Sequence, residues 1–217
     1  MRNLKMSVII KLKASEEMPL DTLQNIAAAI KACKIVVFPT DTVYGMGSTG
    51  LVKAAARKIY QNKGRSSLKP LPILVASTQA AKRWVEWTPA ADLLARKFWP
   101  GALTLVLRPT QEGRLLTFAE YPTVAVRVPN HPLLLKLLAA SGIPWASTSA
   151  NLSGSPALKD GPSAVKQFDQ ITDYIIDAGP SPGVESTVVD VSHIPIRILR
   201  EGVLSSEEIL EALKQNA

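Results

Sequence analysis

Short apolar runs and amphipathic stretches alternate along the whole chain, an order that predicts a mixed α/β domain rather than segregated helical and strand halves. Two further features agree. The 217 residues are 47% hydrophobic but only 6% aromatic, enough for one well-buried core. Most polar residues of chemical interest fall at the ends of predicted strands, where an open α/β sheet places its ligand crevice.

Taken in order, Ser7 to Leu12 reads as a first strand. An amphipathic helix follows from Leu20 to Cys33, with Leu23, Ile26, Ala27 and Ile30 at helical spacing. Ile35-Val36-Val37-Phe38 is a buried strand ended by Pro39, and Thr40-Asp41-Thr42 occupies the turn before a glycine-rich stretch. A helix over Val52 to Tyr60 leads to a Lys63-Gly64-Arg65 loop. Further strands are expected at Pro72 to Ala76, Ala102 to Leu107, Val124 to Val128, Trp145 to Thr148, Tyr174 to Asp177, Thr187 to Val191 and Ile196 to Leu199. Helices fill Pro89 to Phe98, Pro132 to Ala140 and Ser205 to Lys214, with Asn130 and either Ser205 or Ser206 as caps of the last two. Asn151 to Pro162 and Gly179 to Gly183, rich in Gly, Pro and Ser, are read as loops.

Composition excludes several function classes. No stretch approaches the roughly 20 apolar residues of a membrane span, and Val8-Ile9-Ile10 is too short for a signal-peptide core, so a cytoplasmic protein with no membrane partner is expected. Cys33, the single cysteine, can form no internal disulfide and is read as a core residue. His131 and His193 are the only histidines, which leaves a structural zinc site without a ligand set. The net charge of +7 points to a polyanionic partner: nucleic acid, an anionic surface or a triphosphate. Its basic residues are spread along the chain, unlike a nucleic-acid-binding tail.

Several motifs carry the chemistry, each beside a blander reading. Gly45-Met46-Gly47-Ser48-Thr49-Gly50 satisfies G-x-G-x-x-G, but six residues separate it from the preceding strand and no acidic ribose ligand follows at the right distance. A dinucleotide loop is therefore disfavoured. No G-x-x-x-x-G-K-[ST] phosphate loop is present. Lys63, Arg65 and Lys69 place three cations in one short segment, either a solvated basic turn or a phosphate clamp. Arg127 interrupts the small apolar run Ala125 to Val128, where a charge must face solvent or serve a ligand, and Arg200 after Ile198-Leu199 repeats the arrangement. Ser147 to Gly154 supplies hydroxyls and an amide directly after an apolar strand, as ligand groups or as side chains bonding their own backbone. Ser186-Thr187 is similar and weaker. His131, between Asn130 and Pro132, reads as a helix-start residue, so a nucleophilic triad has little support.

The ordered set Pro39-Thr40-Asp41-Thr42-Val43-Tyr44-Gly45-Met46-Gly47, Lys63-Gly64-Arg65, Trp99-Pro100-Gly101, Val126-Arg127-Val128-Pro129, Ser149-Ala150-Asn151-Leu152-Ser153-Gly154, Glu185-Ser186-Thr187 and Leu199-Arg200-Glu201-Gly202 closely resembles the YrdC/TsaC-like threonylcarbamoyl-AMP synthase family. The likeness runs from about Leu20 to Gly202. It implies a twisted, open, mixed α/β sheet with flanking helices around a basic cleft. It also implies a nucleotidyltransferase that makes L-threonylcarbamoyladenylate and pyrophosphate from L-threonine, bicarbonate or CO2, and ATP, feeding the N6-threonylcarbamoyl modification of adenosine 37 in tRNA. On the family pattern, Lys63, Arg65, Lys69, Thr123, Ser149, Asn151 and Arg200 hold ATP or the adenylate, with Lys63 and Arg65 acting in catalysis. Thr40, Thr42, Arg127, Ser147 and Ser186 match the threonine side, where Arg127 pairs with the amino acid's carboxylate.

Such a reaction needs no protein nucleophile. Charge builds on phosphoryl oxygens, so fixed cations, accompanied by Mg²⁺ with unassigned ligands, do the work by positioning and electrostatics. A downstream threonylcarbamoyl transferase complex is the expected partner, and RNA or tRNA a further candidate. Two positions depart from the family pattern: Ser66 stands where a proline often follows, and Leu74 where many members carry a histidine. Residues 1–14 lie outside the resemblance as an N-terminal extension to a catalytic domain over 15–217, and the second domain of longer family members is expected to be absent. The competing reading is an RNA-binding module on the same fold without adenylate-forming activity. It predicts salt-dependent RNA binding, but stacking aromatics are missing near the basic segments. The enzymatic reading requires Arg65, Arg127 and Arg200 to converge on one pocket.

Overall fold

The computed structural model describes residues 6–13, 16–64, 70–116 and 121–214. Its strands are β1 (Val8–Lys11), β2 (Val36–Phe38), β3 (Gly45–Thr49), β4 (Ile73–Leu74), β5 (Leu103–Leu107), β6 (Val124–Arg127), β7 (Trp145–Ser149), β8 (Tyr174–Asp177), β9 (Thr187–Asp190) and β10 (Arg197–Arg200). They form one mixed sheet in the order β1-β8-β2-β3-β7-β4-β6-β5-β9-β10. The helices are α1 (Leu20–Lys31), α2 (Lys53–Lys63), α3 (Thr78–Trp84), α4 (Pro89–Phe98), α5 (Pro132–Ser141), α6 (Gly161–Phe168) and α7 (Ser206–Lys214).

Side-chain alternation along each strand sorts the core into three clusters. Val36, Phe38, Leu74, Trp145 and Ile176 point to one face and pack under α1 and α5, which present Leu23, Ile26, Ile30, Leu134, Leu137 and Leu138. Val37, Met46, Ala146 and Ile175 point to the other, beneath Ala56, Ile59 and Tyr60 of α2 and Ala164 and Phe168 of α6. The third cluster fills the far half of the sheet, where Leu103, Leu105, Leu107, Val126 and Val189 meet Leu94 of α4 and Ile209 of α7. The α/β class and its open mixed sheet thus follow from period-two strands between helices with one apolar stripe.

Several elements differ from the sequence expectation. The glycine-rich stretch after Thr42, given no element from the sequence, is a central strand: Gly45 to Thr49 runs antiparallel to both β2 and β7. Its glycines answer to packing. A Cβ on Gly45 would sit 2.7 Å from the Phe38 ring, and one on Gly47 would sit 2.9 Å from the Ala146 carbonyl oxygen. No dinucleotide loop exists there. Lys63 belongs to the last turn of α2, which Gly64 ends in the left-handed conformation at φ 61°. Helices α3 and α6 were not expected. Ser77 caps the first by accepting from Ala80 N, and Asp160 the second by accepting from Ser163 N. Asn130 is not the cap of α5; His131 holds that position with no side-chain capping bond, and Pro132 starts the helix. At α7, Ser205 and Glu208 form a reciprocal capping box. Cys33 lies beyond the end of α1 at φ 59° and is half-buried, outside the core. Residues Val8–Lys11 pair in parallel with β8, so part of the expected extension is an edge strand of the same sheet. Among the described residues no helix is long and apolar enough to cross a membrane.

Candidate active site

The alternation that builds the core also builds a cleft. Register places Leu74 opposite both Arg127 and Trp145, Ala125 opposite Val106, and Thr104 opposite Val188, so these residues share the sheet face covered elsewhere by α1 and α5. Ser147 and Ser149 continue the Trp145 row along β7, past the cover of those helices. The result is a cavity of about 270 Å3 lined by Phe38, Leu74 and Val188 on the apolar side and by Thr40, Thr42, Thr104, Arg127, Ser147, Ser149, Ser186 and Arg200 on the polar side. Pro70, Pro72 and Glu185 also line it. Small-molecule sites usually run from about 300 to 1,000 Å3, so it is a small one.

Arg200 reaches this face only through a break in register. Ile198 pairs with Val189, whose side chain is core, and strict alternation would aim residue 200 to the same side. A bulge at Leu199 brings Arg200 opposite Val188 instead, onto the cleft face. There its Nε and Nη2 donate to Ser186 O at 3.1 and 2.8 Å, and Nη1 donates to Glu185 Oε2 at 2.6 Å. Ser186 Oγ and Thr104 Oγ1 share a hydrogen bond of 2.9 Å.

Arg127 ends β6 and is fully engaged on one side. Its Nε donates to Gly101 O at 2.9 Å, Nη1 to Thr42 Oγ1 at 3.0 Å and Nη2 to Asp41 Oδ1 at 2.7 Å. Burial pushes the guanidinium below its ordinary pKa, the neighbouring Arg200 adds to that shift, and Asp41 opposes it. Three of five N–H donors are engaged, leaving two for a ligand. Gly101 is pinned in turn, since its N–H donates to Val128 O and a Cβ there would lie 2.3 Å from Phe98 O.

Thr40 folds its own loop. Its Oγ1 accepts from Thr42 N at 3.0 Å and Val43 N at 3.2 Å, and donates to Val43 O at 2.7 Å. The two threonine hydroxyls are 2.9 Å apart. Gly183 N donates to Thr42 O and Ser181 Oγ to Thr40 O, so the 179–183 segment straps this loop down.

Lys63 lies outside the cavity lining, 5% exposed. From the far side of the sheet its ammonium donates to Thr148 Oγ1, Ser149 O, Ser149 Oγ and Asn151 Oδ1 at 2.7–2.9 Å. It therefore shapes the Ser149-Ala150-Asn151 turn rather than projecting into the cavity. Thr123 precedes β6 and is also outside the lining. Arg65, Lys69 and Ser66 fall outside the described residues. Of the three arginines required to converge, Arg127 and Arg200 line one cavity. Sequence reasoning did not assign Asp41, Glu185 or Thr104 to the site. Asp41, between two hydroxyl residues in a turn, was the detectable signal.

A sequence profile for the family described as "Telomere recombination", covering Sua5, YciO and YrdC, matches residues 28–202. The chain is 40% identical over 185 residues to the threonylcarbamoyl-AMP synthase of Pyrococcus abyssi and 40% identical over 188 residues to that of Bacillus subtilis. Each alignment covers 84% of this chain but 54% of the relative, so the chain spans about half the length of these curated proteins. The solved structure of P. abyssi Sua5 complexed with L-threonine superposes with a TM-score of 0.88 at 38% identity, over 96% of this chain and 61% of that one.

Proposed function

The chain belongs to the Sua5/YciO/YrdC family, and on that premise we propose that it is an L-threonylcarbamoyladenylate synthase, joining L-threonine, bicarbonate or CO2, and ATP with release of pyrophosphate. The observation that carries the proposal is one cavity holding Arg127, with two N–H donors to spare, beside Arg200 and a row of hydroxyls.

Arg127 binds the amino acid's carboxylate, with Thr42, Ser147 and Ser186 around the rest of the molecule and Thr40 holding the loop. Leu74, Phe38 and Val188 give the β-methyl an apolar wall. The substrate amine bonds to the carbon of CO2 and loses a proton, or takes up bicarbonate and loses water. A carbamate oxygen then attacks the α-phosphorus of ATP as the bond to the β-phosphate breaks and pyrophosphate leaves. Arg200 binds the phosphates, a role proposed also for Arg65 and Lys69, while Lys63 holds Ser149 and Asn151 in place to contact the nucleotide, with Thr123 as a further nucleotide contact. Mg²⁺ accompanies the nucleotide. It would neutralise charge on the phosphate oxygens; among the described residues no group of three His, Cys, Asp or Glu could hold it, and the lining carboxylate Glu185 is paired with Arg200. The product serves a threonylcarbamoyl transferase acting on adenosine 37 of tRNA in the cytoplasm.

The test is pyrophosphate release from ATP and bicarbonate with L-threonine, L-serine or no amino acid. Release should depend on L-threonine. Discrimination against serine should be about 10–200-fold, the worth of one methyl group in a pocket. Release indifferent to threonine would remove the proposal.

A further inference from the structure

We propose that Asp41 is a positioning residue for amino-acid recognition: its carboxylate fixes the plane of the Arg127 guanidinium, so that the two remaining N–H donors meet the substrate carboxylate. This rests on the reaction proposed above. Three observations carry it.

The first is adjacency. Asp41 and Thr42, consecutive in one loop, take separate nitrogens of the same guanidinium, Nη2 at 2.7 Å and Nη1 at 3.0 Å, while Gly101 O takes Nε at 2.9 Å. Three bonds to a planar group define its orientation. The second is enclosure. The Arg127 and Asp41 side chains are only 8% and 14% exposed, and Asp41 is absent from the cavity lining, so it stands behind the arginine rather than beside a ligand. The third is the stiffness of the platform. Thr40 Oγ1 accepts two backbone N–H groups of the loop, and Ser181 and Gly183 tie the same loop from outside. Asp41 thus transmits the position of a braced turn to the tip of β6. The other titratable group sensing Asp41 is His131, at the cap position before α5, and Arg200 faces Arg127 from the cleft side.

The substrate carboxylate stays bound to Arg127 in both ground and transition states, so a mispositioned arginine should raise KM and leave kcat nearly alone. In the full chain, Asp41→Ala should raise the KM for L-threonine about tenfold to a hundredfold, with kcat and the KM for ATP within about threefold. Asp41→Asn retains Oδ1 as an acceptor and should restore the threonine KM to within about threefold of the parent. Asp41→Glu keeps the charge but displaces the oxygen by one methylene, and should resemble Asp41→Ala. If the alanine variant fails to fold, the Asn and Glu variants decide the matter. Parental KM in Asp41→Glu with a raised KM in Asp41→Asn would show that charge alone matters and overturn the proposal, as would parental KM in every variant. Calorimetric titration of L-threonine separates this from the assigned reaction. A parent that binds threonine without releasing pyrophosphate rejects the reaction and leaves Asp41 to be judged by affinity; a parent that binds no threonine rejects both.

Discussion

The cavity holds two arginines, each at the end of a strand and each beside a carboxylate, yet the pairs are physically unlike. Arg127 and Asp41 are 8% and 14% exposed, whereas Arg200 and Glu185 are 43% and 41% exposed. The first pair has surrendered most of its hydration and persists through three directed bonds from one guanidinium. The second keeps much of its water, so its ion pair adds little free energy, although Arg200 Nε and Nη2 also donate to the Ser186 carbonyl. Similar sequence settings, a charge within or just after an apolar strand, have given an enclosed anchor and a half-exposed one. That division would suit the proposed reaction, in which one substrate is held by its carboxylate and the other carries several charges.

The largest expected effect falls on the enclosed pair. Asp41→Ala leaves a buried guanidinium without its counter-charge and should cost about 3–5 kcal/mol in a denaturant melt; a loss under 1 kcal/mol would erase the distinction between the pairs. Next comes Lys63→Met, which removes a buried ammonium from four acceptors around Ser149 and Asn151. It should cost about 1–3 kcal/mol and raise the KM for ATP more than that for L-threonine. An unchanged ATP KM would separate the Ser149–Asn151 turn from nucleotide binding. Glu185→Ala should change stability by no more than about 1 kcal/mol, and added salt should shrink even that difference.

The smallest effect is one of pH. Burial holds His131 below its ordinary 6.5, with Asp41 opposing the shift. The folded value lies below the unfolded one, so the unfolded chain takes up the proton first. The stabilising contribution of neutral His131 is complete above 6.5 and is lost as pH falls through the folded value. Thermal melts across that window should be flatter for His131→Gln than for the parent. In Asp41→Asn the opposing charge is gone, and the loss should extend to lower pH.

How much of this was legible in sequence depends on whether local pattern or distant packing decided each element. The Tyr174–Asp177 strand and the Pro89–Phe98 helix form where local pattern placed them: the strand is a short apolar run whose Ile175 and Ile176 are buried on opposite faces, and the helix buries one face through Ala91, Leu94 and Ala95. The strand over Gly45–Thr49 was illegible, since its glycines answer to the Phe38 ring and the Ala146 carbonyl, contacts no local rule contains. Helix α6 hid in a Gly/Pro/Ser-rich stretch, although Asp160 with Pro162 is a start signal. In the site, the sequence marked Arg127 and Arg200 as charges needing a reason. It could not supply Asp41 as that reason for one, 86 residues away, or Glu185 with the Ser186 carbonyl for the other, 15 and 14 residues away but reached only through the bulged pairing of β9 with β10.

The irregularity at Leu199 reaches further than its size suggests. The outer cation of the cleft owes its direction to the number of residues between Ile198 and the strand end, not to the identity of any of them. Residue 199 can therefore change its apolar side chain freely while the guanidinium stays in place. Shortening β10 by one residue would turn a charge toward Val189 and its packed neighbours, trading a binding group for a defect in the interior.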